Sequence, residues 1–337
     1  MARSLVLGNG RYLLNFDEFY RIRDIYWPQV GLENHTEGHP FRLGVWVDGA
    51  THWVDGSWER EIAYEDASLV GRAVLRHAGL GLELRCRDVV DFEIDVFCRE
   101  LRVRNLRGER RVARIFLHHD FYLSGSEVGD TAFYDPELAS IIHYKRDRYF
   151  MIGGGAPPAY RLSRYATGKK RVNGAEGTWR DAEGDGILSG NPIAQGSVDS
   201  TISFALRLPP GGTVRLHYWL CVGRSFEEVH RLHEMVRSRG AGALLEETSV
   251  FWRSWVQKHE RDLRDLPEAV ARLFVRSLLI IRTQVDRGGG ILAANDTDIL
   301  QFNRDHYSYV WPRDGALVAQ ALDAAGYPEI TRSFYRF

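Results

Sequence analysis

The chain has 337 residues, 44% hydrophobic and 26% charged, an ordinary composition for a globular protein with a buried core and a length that suggests about two domains. Its 44 basic and 45 acidic residues leave a net charge of −1, and nothing in that balance favours nucleic acid or an anionic membrane as a partner. Cys86, Cys98 and Cys221 are scattered, the apolar run at the N-terminus is too short for a signal peptide, and no stretch approaches the roughly 20 apolar residues of a membrane span. These features predict a cytoplasmic protein without disulfides.

Residues 1–224 read as strands. Phe41, Leu43, Val45 and Val47 alternate with polar or small residues, and Asp48-Gly49 is a hairpin signal. Val90, Phe92, Ile94 and Val96 alternate with acidic residues and predict another strand. Ile202, Phe204, Leu206 and Leu208 precede Pro209-Pro-Gly-Gly212, and Val214, Leu216, Tyr218, Leu220 and Val222 follow it; this pattern predicts an antiparallel hairpin with one buried face. With no long helical segment between strands, a large antiparallel sandwich fits better than a βαβ architecture. Gly153-Gly-Gly155 and the stretch 184–192 read as loops. Two prolines follow the first, so it lacks the helix that a phosphate cradle requires.

At Ser225 the period changes from two to helical. Ser225 and Glu228 form a capping box for a helix through Phe226, Val229, Leu232 and Val236 that Gly240 ends. A second helix carries Leu244, Leu245, Phe251, Trp252 and Trp255 on one side. A third starts at Pro267 and repeats Val270, Leu273, Phe274, Leu278, Ile281 and Val285 until Gly288-Gly-Gly290. A loop then leads to Trp311, and a fourth helix is expected near Gly315. The expected organisation is a sandwich over 1–224, a helical linker over 225–264 and the start of a helical domain over 265–337.

The chemistry concentrates at Tyr307-Ser-Tyr-Val-Trp311-Pro-Arg313-Asp314-Gly-Ala-Leu-Val. Neighbouring hydroxyls of a sugar ring each offer one donor and two acceptors. A guanidinium fork can donate to two of them while an adjacent carboxylate accepts from others, at about 1.5–3 kcal/mol for each charge-assisted bond. Trp311 and Tyr307 can supply an apolar floor. A plainer alternative reads the same spacing as Asp314 capping the helix, Arg313 pairing with it and Trp311 filling the core.

That stretch, with Gly289-Gly-Ile-Leu-Ala-Ala294 before it and Ala321-Leu-Asp-Ala-Ala-Gly326 after it, resembles the opening of the catalytic domain of glycoside hydrolase family 15, the glucoamylases and glucodextranases. The order of segments resembles the prokaryotic branch: an N-terminal super-β-sandwich, a helical linker and an (α/α)6 barrel. The specific motif covers about forty residues, and the sandwich and linker match in architecture only. The resemblance implies an inverting, exo-acting enzyme that releases glucose from the ends of α-glucans or maltooligosaccharides. It implies that Arg313 and Asp314 hold the terminal glucose, that Trp311 lies against that subsite and that Tyr307 sits near the reacting carbon.

The family's two catalytic glutamates match no segment here, so no catalytic residue is assigned. Twelve helices of about 11 residues with connections of about 5 need on the order of 190 residues, far more than 265–337 supplies. The expectation is therefore an N-terminal portion with an incomplete barrel that is inactive alone. The resemblance implies no required cofactor. Some relatives hold calcium, but no metal ligand is assigned here. Two further readings stay open: a non-catalytic carbohydrate-binding or scaffolding sandwich, and a relative specific for trehalose or dextran. The oligomeric state is not legible.

Other polar groups carry plainer expectations. His118 and His119 are adjacent on a strand and should face opposite sides, which argues against a shared metal. His230 and His233 are expected on a solvated helix face, and Lys169-Lys-Arg171 in a solvated loop. Asp296, Asp298 and Asp305 are expected as polar loop residues.

Overall fold

The computed structural model describes residues 3–258, 263, 265–295 and 308–337. Its strands, in chain order, are β1 (Leu5–Gly8), β2 (Leu13–Phe16), β3 (Ile22–Tyr26), β4 (Arg42–Val47), β5 (Ala50–Trp53), β6 (Glu59–Tyr64), β7 (Gly71–His77), β8 (Leu82–Val90) and β9 (Val96–Asn105). They continue as β10 (Arg111–His119), β11 (Asp130–Asp135), β12 (Ser140–Lys145), β13 (Arg148–Gly155), β14 (Arg164–Lys169), β15 (Ile193–Gly196), β16 (Val198–Leu208) and β17 (Thr213–Gly223). Three antiparallel sheets result, ordered β1-β2-β3, β14-β16-β10-β4-β5 and β15-β11-β12-β13-β17-β9-β8-β7-β6.

The five- and nine-stranded sheets form the sandwich. Val45, Val47, Ile115, Phe204 and Leu206 from one sheet bury with Leu75, Leu84, Phe97, Leu101, Leu216 and Leu220 from the other in one continuous core. Each such fully buried side chain contributes roughly 1.5–3 kcal/mol of transfer free energy. Asp48 (φ 53°) and Gly49 (φ 88°) make the expected tight turn between β4 and β5, both in the left-handed region that a primed hairpin turn requires.

Three strand expectations are corrected. β16 and β17 do not pair: β16 lies between β14 and β10, and β17 between β13 and β9, so the chain changes sheets at Pro209–Gly212. The prolines have no N–H to start a ladder, while Gly211 N donates to Arg107 O (3.0 Å) and Gly212 N to Pro209 O (3.1 Å). The alternation had reported a buried face on each strand, but period two does not say which strand lies alongside.

The run 90–96 is not one strand: Val90 ends β8, Val96 starts β9, and residues 91–95 between them form a turn. Asp91 Oδ1 accepts from Glu93 N (2.9 Å) and Ile94 N (3.0 Å), folding the chain back between β8 and β9. Gly153–Gly155 belong to β13. A Cβ on Gly153 would meet the Trp219 Nε1 at 2.6 Å, and one on Gly154 would meet Phe204 Cζ at 2.8 Å. The glycines make room for those rings.

The helices are α1 (Phe226–Arg239), α2 (Ala241–Val256), α3 (Glu268–Thr283), α4 (Pro312–Ala324) and α5 (Pro328–Phe334). Ser225 Oγ accepts from Glu228 N (3.2 Å), and Glu228 Oε2 accepts from Arg224 N (2.8 Å), so the capping box closes one residue upstream of its usual target. α1 and α2 cover part of the outer face of the nine-stranded sheet, where Val229, Leu232, Val236, Leu244 and Leu245 bury against Val89, Cys98, Met151, Trp219 and Cys221. The unbroken apolar run Tyr218-Trp-Leu-Cys-Val222 is thus a strand covered on both faces.

α3 stops at Thr283, earlier than its apolar spacing predicts, and Val285 pairs instead with Ile291 in a β-bridge. α4 starts at Pro312 rather than near Gly315, because a proline fits the first helical position, where no N–H partner is needed. Leu278, Leu279, Trp252, Ala319, Leu322 and Tyr327 form a separate core joining α2 to α5. Among the described residues no helix is long and apolar enough to cross a membrane.

Candidate functional site

The first turn of α4 brings together three of the four residues singled out from sequence. Trp311 is the extended N-cap (φ −93°, ψ 120°), Pro312 the first helical residue, and Gly315 N donates to Trp311 O at 2.8 Å. Arg313 and Asp314 follow on the turn, and Tyr307 lies outside the described residues. Asp314 does not cap the helix; it stands in the first turn, where a carboxylate is favoured by the helix dipole. Arg313 Nη2 donates to Asp314 Oδ2 at 3.2 Å, with side chains 84% and 43% exposed.

The pair therefore holds one mutual bond and faces solvent. This is part of the plainer alternative, in which Arg313 pairs with Asp314. Trp311 departs from that alternative: it is half exposed, with its ring edge-on to Tyr309 at 6.1 Å. What the arrangement offers chemically is a guanidinium, a carboxylate and an indole on one rigid helix start.

One buried contact fixes that turn, and a second holds the far end of α4. Gly315 is buried, and a Cβ there would meet the Phe334 ring at 2.4 Å, so α4 and α5 approach at a glycine. Tyr327, between those helices, stacks on Trp255 at 4.4 Å and donates its hydroxyl to Trp255 O at 3.1 Å. Gly289 (φ 105°) also fits tightly, since a Cβ would lie 2.5 Å from Ser333 O.

Beside this turn lies a cavity of about 140 Å³ between residues 29–32 and the segment preceding α4, with Asp286, Leu292, Ser308 and Val310 in its wall. Arg313 and Asp314 are not among its lining residues. Asp286 Oδ2 accepts from Val30 N at 3.1 Å, and a Cβ on Gly31 (φ 78°) would strike Leu292. Sequence reading did not connect this N-terminal loop with the α4 region. Gly31 is one of 33 glycines, and nothing local marks it.

The remaining polar candidates are packed into the structure. His118 Nε2 bonds Asp199 Oδ2 (2.8 Å), whereas His119 bonds Ser200 Oγ and the Tyr218 hydroxyl (both 3.1 Å), so the two imidazoles have separate partners. Among the described residues no group of His, Cys, Asp or Glu is placed to hold a metal ion.

Two expectations of solvation are corrected. His233 is buried and accepts from Trp219 Nε1 at 3.1 Å, and burial pushes its pKa down to about 4. Lys170 is buried too, donating to Asp120 and Phe121 O. Arg171 adds a two-pronged contact to Asp120 at 2.9 and 3.0 Å. Burial alone would raise the Asp120 carboxyl, but these cations hold it well below the usual range. Asp296, Asp298 and Asp305 lie outside the described residues.

No protein-family model matches the chain. A curated relative, an uncharacterized glycosyl hydrolase of Methanocaldococcus jannaschii, is 21% identical over 341 residues, covering 98% of this chain and 52% of that protein. A bacterial glucoamylase solved in complex with acarbose matches with a TM-score of 0.78 and 13% identity, over 99% of this chain and 49% of its own. The chain has the fold of the matched half of that bacterial glucoamylase. A candidate kojibiose phosphorylase from the human microbiome matches less completely, with a TM-score of 0.51 and 8% identity over 82% of this chain and 39% of its own.

The chain spans about half the length of the curated relative and of the glucoamylase structure. Sandwich and following helices both fall within that glucoamylase-like match, so the architecture expected from the strand and helix periods is the one observed.

Proposed function

We propose that the chain carries the sandwich and the sugar-holding turn of an inverting, exo-acting α-glucosidase of the glucoamylase type, acting on α-glucans or maltooligosaccharides. Arg313 donates to two adjacent hydroxyls of a terminal glucose, Asp314 accepts from neighbouring ones, and the Trp311 ring covers an apolar face of the sugar. Tyr307 takes the place beside the reacting carbon.

The observation that carries the reading is the outward presentation of Trp311, Arg313 and Asp314 on one buttressed helix start. The glucoamylase-like fold around it supports the substrate class. Inversion needs a general acid and a general base about 6.5–9.5 Å apart on opposite sides of the scissile bond. We assign neither role within these residues, and the chain by itself is then inactive. A reducing, cytoplasmic home is part of this proposal, because three scattered cysteines offer no disulfide framework.

The test has two arms. Incubating this chain with maltotetraose should release no glucose; enzyme-dependent release would refute the assignment of the acid and base elsewhere. Saturation-transfer NMR should detect maltotetraose contact that is lost in Arg313→Ala and in Trp311→Ala. Contact that survives both substitutions would move the sugar site away from α4.

A further inference from the structure

Opposite in character to the near-neutral chain, one surface gathers arginines. On the outer face of the nine-stranded sheet, Arg76 stands across from Glu83, Glu83 from Arg104, and Arg104 from Thr213. In the next row, Arg85 stands across from Arg102, and Arg102 from Arg215. Their neighbours along the strands, Leu84, Cys86, Leu101, Val103 and Leu216, point into the sandwich core. Helices α1 and α2 cover the part of this face around Cys98 and Trp219, away from the arginine rows.

Glu59 across from Arg76 and Glu61 across from Val74 close the outer ends of these rows, so five arginines meet four carboxylates in all; the positive surplus lies at the other end, where Arg85, Arg102, Arg104 and Arg215 meet Glu83 and Glu100. Like charges directly opposite on neighbouring strands destabilise a sheet, and here three stand in a line. Glu83 and Glu100 are nearly buried and already bonded: Glu83 takes Arg76 Nε and Arg85 Nε at 2.7 Å each, and Glu100 takes Arg102 Nε at 2.8 Å. Burial would raise both carboxyls; the arginine bonds overcome it at Glu83, and the neighbouring His217 followed by Arg102 hold Glu100 down at about 2. Arg85 and Arg102 each bond through Nε, which leaves their Nη atoms unbonded among the described residues. Arg104 makes no side-chain bond there at all. Glu83, Arg85, Arg102, Arg104 and Thr213 enclose an open cavity of about 130 Å³.

We infer that this cavity binds a phosphate-type tetrahedral oxyanion, held by the guanidinium groups of Arg85, Arg102 and Arg104 with the Thr213 hydroxyl beside them. Planar guanidinium forks match phosphate oxygens two at a time, and a compact dianion offsets the surplus that the facing arginines create. The anion is either free inorganic phosphate or the phosphate ester of a sugar. The inference uses nothing from the α4 turn and stands apart from the glycosidase reading.

The test is calorimetric titration of the full chain with inorganic phosphate and, separately, with glucose 6-phosphate, at ionic strength fixed with chloride. Saturable binding of both supports the site with the free anion as a sufficient ligand; binding of the ester alone supports it with the ester as source. In either case affinity should fall at least tenfold in Arg104→Ala and in the charge-retaining Arg102→Lys, with unchanged circular dichroism, and stay constant in Arg180→Ala, which lies elsewhere on the surface. No saturable heat from either probe overturns the inference, as does binding that both site variants retain.

Discussion

The missing Cβ of Gly315 marks where α4 rests on α5: built there, it would lie 2.4 Å from Cζ of Phe334. The turn that carries Arg313 and Asp314 is held by this contact, because the glycine lets an aromatic ring sit directly against the helix backbone. Arg313 itself touches little, so its position is inherited from a residue two places later.

Gly315→Ala should therefore destabilise the α4–α5 pair by about 1–3 kcal/mol through overpacking, partly offset by roughly 1 kcal/mol of better helix propensity. Phe334→Leu in the same chain should recover part of the loss, since the two sites share one contact. Hydrogen exchange over 312–334 is the measurement; unchanged protection in Gly315→Ala would show that α5 does not buttress the turn.

Arg313→Ala should leave unfolding free energy within about 0.5 kcal/mol of the parent, because the side chain is largely exposed and bonded once. A urea titration showing a larger loss would mean that Arg313 supports the fold and is not held out for a ligand.

Asp120→Asn should be severe. It leaves Lys170 buried without its carboxylate and removes the Arg171 fork, and breaking a buried pair from one side costs about 3–5 kcal/mol. Denaturant unfolding of the variant checks this, and a change below 1 kcal/mol would contradict the buried triad.

Stability should fall as pH drops from about 6.5 toward 4. Burial lowers His143 to about 3 and His233 to about 4, against an unfolded value of about 6.5. The folded state thus binds fewer protons than the unfolded chain in that window. The stabilisation is complete above the unfolded pKa and is lost as pH falls, by up to about 1.4 kcal/mol per pH unit for each histidine. Urea unfolding at pH 7.5, 6 and 5 measures the slope, and His143→Gln should flatten it. Equal free energies across the three would show that these imidazoles are not held neutral.

Arg215→Thr should raise stability by a few tenths of a kcal/mol at low salt, since relief of the like-charge neighbour Arg102 outweighs loss of the long, half-exposed 3.8 Å ion pair to Glu100. The gain should vanish near 1 M salt, where the screening length is about 3 Å. Thermal unfolding at both salt levels tests this; a salt-independent change would assign the effect to packing.

Local chemistry was legible wherever a residue's role depends on its chain neighbours. Asp48-Gly49 declared its turn because two successive left-handed conformations suit few other pairs. Ser225 and Glu228 declared a helix start because the cap closes over three residues. The helical period from Ser225 onward and the alternation before it were enough to order sandwich before helices. The Trp311–Asp314 stretch was readable as one polar turn because its members are consecutive.

Contacts between distant segments were decided only by the tertiary structure. Alternation in β16 and β17 reported that each has a buried face, but not that those faces meet across two sheets. Gly153 and Gly154 resembled a loop because their purpose is the volume of Trp219 and Phe204, far along the chain. His233 and Lys170 looked solvated until Trp219 and Asp120 were packed against them. The row Arg85–Arg102–Arg215 exists only through strand register. Hydrophobic period and turn chemistry are short-range and survive in the bare sequence; burial, charge neighbourhood and cavity shape are sums over segments brought together by folding.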